Sequence, residues 1–335
     1  RTHRRWNCSD DFLPTGTAPN PVRYNDYILF RVEDVSSGGL KIITSMRNKF
    51  LGIGQRLECT LSLPYVGSVK ADVKVKHVNT TFYRGKEFMV MGVEFVKKDS
   101  ILMKSLGEYL LNFAKDVTVK SLNSEGFGLK VVSKWLDFSY VKTEEDYEEV
   151  LKLRYKAYKA AELLSDISGW EQTADESDSN ASILMAKYNG KVIGTVRIRM
   201  FKSENEKTEY YDYKDRIKNF PKTTELVELA RLCTDPDYRG SDLINEIHAY
   251  ELLVGVNNNK RFFVASAIGS LLDYYKNCGW ELTGVTYDVG KKYNCIKNAP
   301  AELMILDINK VAFGKNISIK QWNKLYSNVV EYLVE

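Results

Sequence analysis

The sequence predicts two domains, a small all-β barrel followed by a mixed α/β fold. The chain has 335 residues, which at 100–200 residues per domain indicates two domains. Between residues 27 and 96 it consists of short strand-like segments and turns, whereas after residue 120 strand-like and helix-like segments alternate. We therefore place the first domain at 1–115, a linker at 116–135 and the second domain at 136–335.

The first domain is predicted from alternation. At 69, 71, 73 and 75, valine and alanine alternate with lysine and aspartate, the period of a half-buried antiparallel strand. Further strand-like segments are YILFRV, GGLKIIT, RLECTLSL and KEFMVMGVEF. From 99 to 115 the period becomes helical, with the apolar stripe Leu102, Leu106, Tyr109, Leu110 and Phe113, which predicts a helix that closes the barrel.

The second domain begins with a helix predicted from Thr143, a capping residue, to about Ala161. Asn189-Gly190 predicts a hairpin between two strands. The later elements are the helix DLINEIHAYELLV, the strand RFFVASAI, the helix SLLDYYKN, the strand AELMILDI and the final helix IKQWNKLYSNVVEYLV. The acidic segment EQTADESDSN is predicted to be a loop.

Composition excludes several classes of protein. Hydrophobic residues make up 44% and charged residues 27%, which are values of an ordinary folded chain. The net charge of +4 is too small to indicate DNA or RNA as a partner, and no apolar run is long enough for a transmembrane segment. Five scattered cysteines without a C-x-x-C pair predict reduced thiols, no metal site and a cytoplasmic location.

The N-terminal residues RTHRR and the later segment DVSSGG form the first candidate site. Arginine forks bind phosphate oxygens or a guanine edge in bidentate fashion, and Arg1 and Arg5 are placed to do this. Asp34 and Ser36 would supply an acceptor and a hydroxyl, and Gly39 would let the backbone reverse.

These residues resemble a known signature. R-x-x-x-R followed by [D/N]-x-S-x-x-G is the motif of PilZ domains, six-stranded barrels of bacterial signalling proteins that bind cyclic di-GMP. The resemblance covers residues 1–115, and Arg1, Arg5, Asp34, Ser36 and Gly39 match the motif. It implies that the arginines hold the nucleotide's guanines and phosphates on one side and the Asp-x-Ser turn holds the other, with Arg4 as an additional contact.

The second candidate site is spread over several elements of the α/β domain. On the Thr143 helix, the stripe at 147, 151, 154 and 158 turns an arginine inward, where a buried charge needs a partner. Downstream come an aromatic residue, a D-x-x-D pair, G-x-x-R and E-x-A-R. The candidate residues are Arg154, Tyr158, Trp170, Asp175, Asp178, Arg197, Glu228 and Arg231.

This order resembles the acyl-homoserine-lactone synthases and the related long-chain N-acyl amino acid synthases, which have the GNAT fold. The resemblance covers about residues 136–310 and implies catalytic roles for Glu228 and Arg231 and substrate-binding roles for the others, with Tyr158 where the family usually has Phe. YYKNCGW adds a GNAT-like segment and Tyr275. In the loop YRGSDLIN, Asp242 and Ile244 replace the small residues that hold the pyrophosphate of CoA. We therefore expect the acyl donor to be acyl carrier protein rather than acyl-CoA.

The chemistry requires a base, because an amine with a pKa near 8 is roughly 90% protonated at pH 7. Glu228 is the predicted base, acting through water, and the backbone amides near Leu232 and Cys233 would polarise the thioester carbonyl. Glu228 and Arg231, three residues apart, face one site only if a bulge re-aims the strand. The arginines would pair with Asp175 and Asp178 or bind a substrate carboxylate.

The predicted function is therefore a cyclic di-GMP-responsive N-acyltransferase that moves a fatty acyl chain from acyl carrier protein to the amine of an amino acid or similar small molecule. The segment from Lys115 to Trp135 is the expected hinge. The alternative is a non-catalytic cyclic di-GMP receptor whose degenerate acyltransferase domain binds a partner or lipid. A third interpretation, an acetyltransferase that uses acetyl-CoA, is opposed by Asp242 and Ile244.

Overall fold

The computed structural model describes residues 3–83, 85–313 and 317–326, and the chain divides into two compact units, Arg1–Lys130 and Val131–Glu335. The segment predicted as a linker, 116–135, is shared between them. Its residues up to Lys130 pack within the first unit, where helix α2 (Val119–Ser124) buries Val119 and Leu122.

The first unit contains one antiparallel sheet. Its strands are β1 (Arg5–Asn7), β2 (Thr15–Pro19), β3 (Tyr27–Ser36), β4 (Gly39–Ser45), β5 (Arg56–Leu63), β6 (Gly67–Tyr83) and β7 (Lys86–Phe95). The order is β1-β3-β2-β5-β6-β7-β4, and β4 also pairs with β3. The pairings of β2 to β7 therefore return to their starting strand, and β1 lies beside the end of β3. The structure thus has seven strands where six were predicted.

Alternation of apolar and polar residues builds this sheet. In β5, Leu57, Cys59, Leu61 and Leu63 are buried and the residues between them are exposed. The predicted closing helix is α1 (Ser100–Phe113), and its N-terminus is capped by Asp99, whose Oδ1 accepts a hydrogen bond from the Ile101 amide at 2.7 Å.

The second unit contains a seven-stranded sheet with the order β13-β14-β12-β11-β10-β9-β8. Its strands are β8 (Leu136–Tyr140), β9 (Ser182–Tyr188), β10 (Lys191–Met200), β11 (Leu226–Thr234), β12 (Phe262–Ile268), β13 (Glu281–Asp288) and β14 (Pro300–Asp307). Among the described strands of this sheet, β11 and β12 form the one parallel pair. The sequence did not predict β8 or β13.

The helices of the second unit follow their sequence signals closely. They are α3 (Glu144–Ala160), α4 (Leu243–Asn257), α5 (Gly269–Asn277), α6 (Val289–Lys292), α7 (Ile308–Phe313) and α8 (Ile319–Leu325). Thr143 caps α3 by accepting the Asp146 amide at 3.1 Å, and Asn189 and Gly190 have the positive φ angles of the predicted hairpin turn. Part of the final predicted helix, from residue 327, lies outside the described residues. The predicted acidic loop contains two short 3-10 helices, Trp170–Thr173 and Glu176–Asn180.

All five cysteines are buried and free of disulfides. The parallel pairing of β11 with β12 involves three residue pairs, Leu226–Glu228 with Phe262–Val264. Beyond Glu228 the two strands are no longer paired, and a cavity lies between their remaining halves. The early end of this pairing positions the candidate active site.

Candidate functional sites

The cavity between the unpaired halves of β11 and β12 has a volume of about 460 Å³. Its wall includes residues 229–234 of β11 and 265–268 of β12, together with side chains from α3, α4 and α5. Because the edge of β11 facing the cavity has no strand partner after Glu228, the wall combines backbone groups with apolar side chains. Such a cavity is suited to an elongated apolar ligand that carries a polar end.

Strand β11 contains a bulge, which Glu228 and Arg231 need if both are to face one site. Thr195 of β10 pairs with Cys233 and Arg197 pairs with Ala230, so Val196 alone lies opposite Arg231 and Leu232. Arg231 has a φ of 57°, in the left-handed region that side chains other than glycine rarely adopt. The bulge turns Arg231 toward the same charged cluster as Glu228.

Arg231 is 8% exposed and its guanidinium is surrounded by partners. Its Nε and Nη2 donate to Oδ2 of Asp175 at 3.2 and 2.8 Å. Its Nη1 lies 3.2 Å from the Tyr158 hydroxyl and 3.3 Å from the Cys295 sulfur. The guanidinium carbon also lies 3.8 Å from the ring centroid of Tyr293, so Arg231 is fixed on the cavity wall by charge, hydrogen bonds and stacking.

Asp175 and Asp178, the D-x-x-D pair, form ion pairs with the buried arginines. Arg154 is fully buried and forms a bidentate ion pair with Asp178, at 2.6 and 3.0 Å. Arg197 lies 3.1 Å from Asp175 and 3.4 Å from Asp178. Burial opposes ionisation of Asp175, but the charges of Arg197 and Arg231 outweigh it and lower the pKa of Asp175 to about 2. The arginines and the aspartate pair therefore form one charge-balanced network.

Glu228 lies close to this network but not on the described cavity wall. It is 1% exposed, and its Oε2 accepts a hydrogen bond from the Glu209 amide at 2.6 Å. Arg199 lies 3.4 Å from its Oε1. Burial, with a further contribution from the negative charge of Glu209, raises the pKa of Glu228 to about 7. A carboxyl group with this pKa is suited to exchange protons near neutral pH.

Of the other predicted residues, four lie on the cavity wall and one does not. Tyr158, Leu232, Cys233 and Tyr275 line the cavity. Trp170 lies outside the described wall, at the start of a short 3-10 helix, where its ring centroid is 5.5 Å from the Lys152 ammonium.

Asp242 and Ile244, the two residues expected to disfavour a CoA pyrophosphate, lie at the start of α4. The Asp242 carboxylate accepts the backbone amide of Val132 at 2.7 Å. Ile244 lines the cavity. An anionic pyrophosphate at this helix N-terminus would meet a carboxylate that already holds one donor.

Sequence reasoning missed three residues beside Glu228. Glu209 forms an ion pair with Arg197 and lies 2.9 Å from the Lys292 ammonium. Its Oε2 also accepts the Tyr293 hydroxyl at 2.7 Å, and Tyr293 lines the cavity. Glu209 lies in an irregular loop and Lys292 in a one-turn helix, so neither belongs to a periodic pattern that would have identified it.

The N-terminal candidate site is formed by two neighbouring strands. In the β1–β3 pairing Arg5 lies opposite Ser36 and Asn7 opposite Asp34. The Arg5 guanidinium forms an ion pair with the Asp34 carboxylate, and the Ser36 hydroxyl donates to the Gly39 carbonyl oxygen at 3.1 Å. The structure thus brings Arg5, Asp34, Ser36 and Gly39 together.

A groove of about 300 Å³ lies beside these residues. Arg5 and Ser36 line it, together with Lys76, His77 and Lys98. Lys76 forms an ion pair with Glu94 at 3.0 Å. The groove therefore joins two of the motif residues to basic side chains from β6 and from the segment after β7.

Two of the predicted nucleotide contacts, Arg1 and Arg4, are not among the residues described along the groove. Arg1 lies outside the described residues. Arg4 is exposed, and its guanidinium carbon lies 5.2 Å from the ring centroid of Trp6; it is not on the described groove wall.

The expected role of Gly39 is corrected by the structure. Its φ is not positive, and the turn itself is formed by Ser37 and Gly38. A Cβ at position 39 would lie 1.9 Å from the Val93 carbonyl oxygen. Glycine is needed there because β7 approaches closely, and not because the backbone reverses at that residue.

Neither unit shows a metal centre in the part of the chain that the structure describes, since no cluster of three or more His, Cys, Asp or Glu side chains has suitable spacing there. Of the helices described, none combines the length and the apolar character that a membrane crossing demands.

Comparison with known proteins follows the two units. A family model described as N-acyl amino acid synthase FeeM matches residues 149–307. The solved structure of FeeM, an N-acyl amino acid synthase from uncultured soil microbes, is similar at 14% identity and a TM-score of 0.40, over 56% of this chain and 97% of that chain. BjaI, a CoA-dependent acyl-homoserine lactone synthase solved with SAM and isopentyl-CoA, is similar at 15% identity and a TM-score of 0.39, over 58% and 89%.

For the first unit, the PilZ domain of YcgR from Escherichia coli with cyclic di-GMP is similar at 15% identity and a TM-score of 0.27, over 30% of this chain and 79% of that chain. The chain spans about half the length of MrkH, a further neighbour. A search of curated proteins found no match. The resemblance to N-acyl amino acid synthases that the motifs indicated is confirmed by the family model over residues 149–307, and the solved structures similar to the first unit include the PilZ domain of YcgR.

Proposed function

We propose that the chain is an N-acyltransferase that responds to cyclic di-GMP, transferring a fatty acyl chain from an acyl-carrier-protein thioester to the amine of an amino acid or similar small molecule. The observation that carries the proposal is the cavity between β11 and β12. It combines an apolar interior with a charged end formed around Arg231. A fatty acyl chain attached to a polar reacting centre has the same two parts.

The transfer itself needs few groups. The neutral amine attacks the thioester carbonyl carbon, the carbon–sulfur bond breaks, the thiol leaves, and the amine gives up one proton. Backbone amides near Leu232 and Cys233 would stabilise the negative charge that develops on the carbonyl oxygen, because this part of β11 faces the cavity without a strand partner.

Glu228 is the proposed proton acceptor, because the pKa of this carboxyl group, raised to about 7, matches the task. It is separated from the cavity, so the proton must reach it through an intermediary. Glu209, whose amide bonds to Glu228 and whose carboxylate accepts the Tyr293 hydroxyl, brings Glu228 close to the cavity wall. Water between Glu228 and the amine is the proposed carrier of the proton.

The arginines are proposed to organise the site. Both terminal nitrogens of Arg154 are paired with Asp178 in a buried ion pair, which supports an orienting role. Arg231 lies on the cavity wall beside Tyr158 and Tyr293. It is therefore the arginine we propose to contact the carboxylate of an amino acid acceptor.

The donor is proposed to be acyl carrier protein. A CoA pyrophosphate at the N-terminus of α4 would lie beside Asp242, whose carboxylate holds the Val132 amide. The phosphopantetheine arm of a carrier protein has one phosphate and no pyrophosphate, so it avoids part of this repulsion. The CoA-dependent BjaI makes direct comparison of the two donors necessary.

The first unit is proposed to bind cyclic di-GMP in the groove beside Arg5 and Ser36. Arg5 and Lys98, which both line the groove, supply positive charge that a dianionic nucleotide needs. Binding would control acyl transfer if the nucleotide favours one state of the chain over another, and such coupling typically amounts to about 1–3 kcal/mol.

One observation favours the alternative, a non-catalytic cyclic di-GMP receptor with a degenerate acyltransferase domain. The carboxylates of Asp175, Asp178 and Glu209 are each paired with arginine or lysine, as expected of ion pairs that only stabilise the fold. Formation of a product distinguishes the two proposals.

The experiment is mass spectrometry of reactions that contain the full chain, matched acyl-carrier-protein and acyl-CoA thioesters of several chain lengths, and pooled amino acids with S-adenosylmethionine. Each reaction is run with and without cyclic di-GMP. We expect an N-acyl product from the carrier-protein thioesters, at a rate that changes with the nucleotide. Absence of product from every donor, while calorimetry still shows nucleotide binding, would instead support the receptor.

A further inference from the structure

A second carboxylate, on a different element from Glu228, lies on the cavity wall. Glu251 is on α4 and is 1% exposed. It lines the cavity together with Ile244 of the same helix and Leu271 and Tyr275 of α5. Neither the motifs nor the proposed mechanism uses this residue.

A neighbouring histidine fixes one oxygen of Glu251. The indole Nε1 of Trp280 donates to Nε2 of His248 at 3.3 Å, so the other ring nitrogen carries the proton. That nitrogen, Nδ1, lies 3.1 Å from Oε2 of Glu251 and donates to it. Trp280 and His248, neither of which is on the described cavity wall, thus orient the carboxylate.

The other oxygen of Glu251 has no partner. Its Oε1 is buried and makes no hydrogen bond with any residue in the described ranges. A buried carboxylate oxygen without a donor is strongly unfavourable, so it is rarely retained in a fold unless something pairs with it. On the wall of a ligand cavity, the partner can be supplied by the ligand.

The surroundings of Glu251 indicate which part of the ligand supplies the donor. The wall contributed by α4 and α5 is apolar around it, with Ile244, Leu271 and the ring of Tyr275. The charged groups that suit an amino acid, around Arg231, belong to the wall formed by β11, α3 and Tyr293. The region of Glu251 therefore suits a hydrocarbon chain that carries a single polar group.

We propose that Glu251 is a specificity residue that accepts a hydrogen bond from a hydroxyl group on the acyl chain, so that hydroxylated acyl chains are the preferred donors. The inference rests on the proposed acyltransferase function. It adds the substrate class, which neither the motifs nor the family match assigns. A site built to pair with a hydroxyl group rejects the analogue that lacks it, because the acceptor is then buried unpaired.

The test compares unsubstituted dodecanoyl chains with monohydroxylated dodecanoyl chains that differ in the position of the hydroxyl group. Binding of the free acids is measured by calorimetry, and turnover is measured with the corresponding thioesters. We expect at least one hydroxylated chain to bind at least about tenfold more tightly than the unsubstituted chain. Because calorimetry does not require catalysis, failure of the proposed function would leave this comparison intact.

Substitution at position 251 assigns the preference to this residue. Glu251→Met removes the acceptor with little change in volume, and we expect it to bring the two classes of chain within about threefold of each other. Glu251→Leu, which likewise has no acceptor, is the second variant, in case the methionine variant does not fold. Asp273→Asn, an exposed carboxylate on α5 outside the cavity, is the matched control and should keep the wild-type preference.

Three results would overturn the proposal. The first is equal binding of hydroxylated and unsubstituted chains by the wild type. The second is a folded Glu251 variant that keeps the preference or loses affinity equally for all chains, which would make the residue structural. The third is a variant that changes the KM of the amine and not the preference among chains, which would make the amine the partner of Glu251.

Discussion

Arg231 and Asp175, fifty-six positions apart in the sequence, meet through two nitrogens of the arginine and a single carboxylate oxygen. Nε and Nη2 of Arg231 both donate to Oδ2 of Asp175, and Arg197 reaches the same oxygen at 3.1 Å. One aspartate thus holds two arginines from adjacent strands. The position of the Arg231 guanidinium on the cavity wall therefore depends on the acidic segment that contains Asp175.

Asp175→Asn should destabilise the fold in a pH-dependent way. The pKa of the Asp175 carboxyl is about 2 in the fold and near 3.9 when unfolded, so its contribution is fully present above pH 4 and is lost as the pH falls through 2. By linkage this amounts to about 2–3 kcal/mol at pH 7. Urea unfolding at pH 7 and at acidic pH measures the difference between wild type and variant. Asp166→Asn, at an exposed site, is the control, and a pH-independent difference would contradict the prediction.

Replacing Arg154 with methionine should cost about 3–5 kcal/mol of unfolding free energy, because the buried Asp178 would lose its bidentate partner and keep only the Tyr147 hydroxyl and the more distant Arg197. The double variant Arg154→Met, Asp178→Leu should recover much of that loss, since removing both partners of a buried ion pair is often nearly neutral. Chemical unfolding of the single and double variants gives the coupling. A small effect in the single variant would show that the pair does not stabilise the fold.

Glu228→Gln should lower acyl transfer by about 10²–10⁴-fold, since it removes the proposed proton acceptor while keeping the side-chain volume. In the wild type, kcat/KM should rise with pH through one step near 7, the value to which burial and Glu209 raise the pKa of the Glu228 carboxyl, and through a second step near 8 that belongs to the substrate amine. The variant should lose the step near 7 and keep the step of the amine. Glu225→Gln, exposed just before β11, is the control. Unchanged turnover in Glu228→Gln would assign the base to another group.

Arg5→Ala should weaken cyclic di-GMP binding at least about tenfold, because one or two charge-assisted hydrogen bonds would be lost. Asp34→Ala should have a similar effect, since it removes the partner that orients Arg5. Isothermal titration calorimetry measures both. Arg56→Ala, an exposed arginine on β5 away from the groove, should bind like the wild type, and equal affinity in all four proteins would disprove the assignment.

Local patterns in the sequence were sufficient for much of this structure. The stripe that predicted an inward Arg154 is observed, and so are the cap at Thr143 and the turn at Asn189-Gly190. Each of these depends on neighbours within about four residues, where helix and turn geometry are nearly fixed. The R-x-x-x-R and D-x-S segments are likewise brought together, by the pairing of β1 with β3.

The residues that were missed depend on contacts between distant segments. Glu209 is placed by an irregular loop and by pairing with Arg197 and Lys292, for which the local sequence gives no signal. His248 and Glu251 lie in a helix read only for its apolar stripe, although both are buried. The left-handed conformation of Arg231 occurs without glycine or asparagine, so the residue type gave no indication of it.

The bulge at Arg231 also determines toward which face of the sheet the neighbouring residues of β11 point. One extra residue lies between Ala230 and Cys233 relative to β10, so a deletion of Leu232 would restore a regular ladder. It would also turn Arg231 toward the opposite face of the sheet, away from Asp175. The shortened β11 would thus pair regularly with β10 but would no longer hold Arg231 on the cavity wall. The deletion would make the backbone more regular and the site less able to carry out its chemistry.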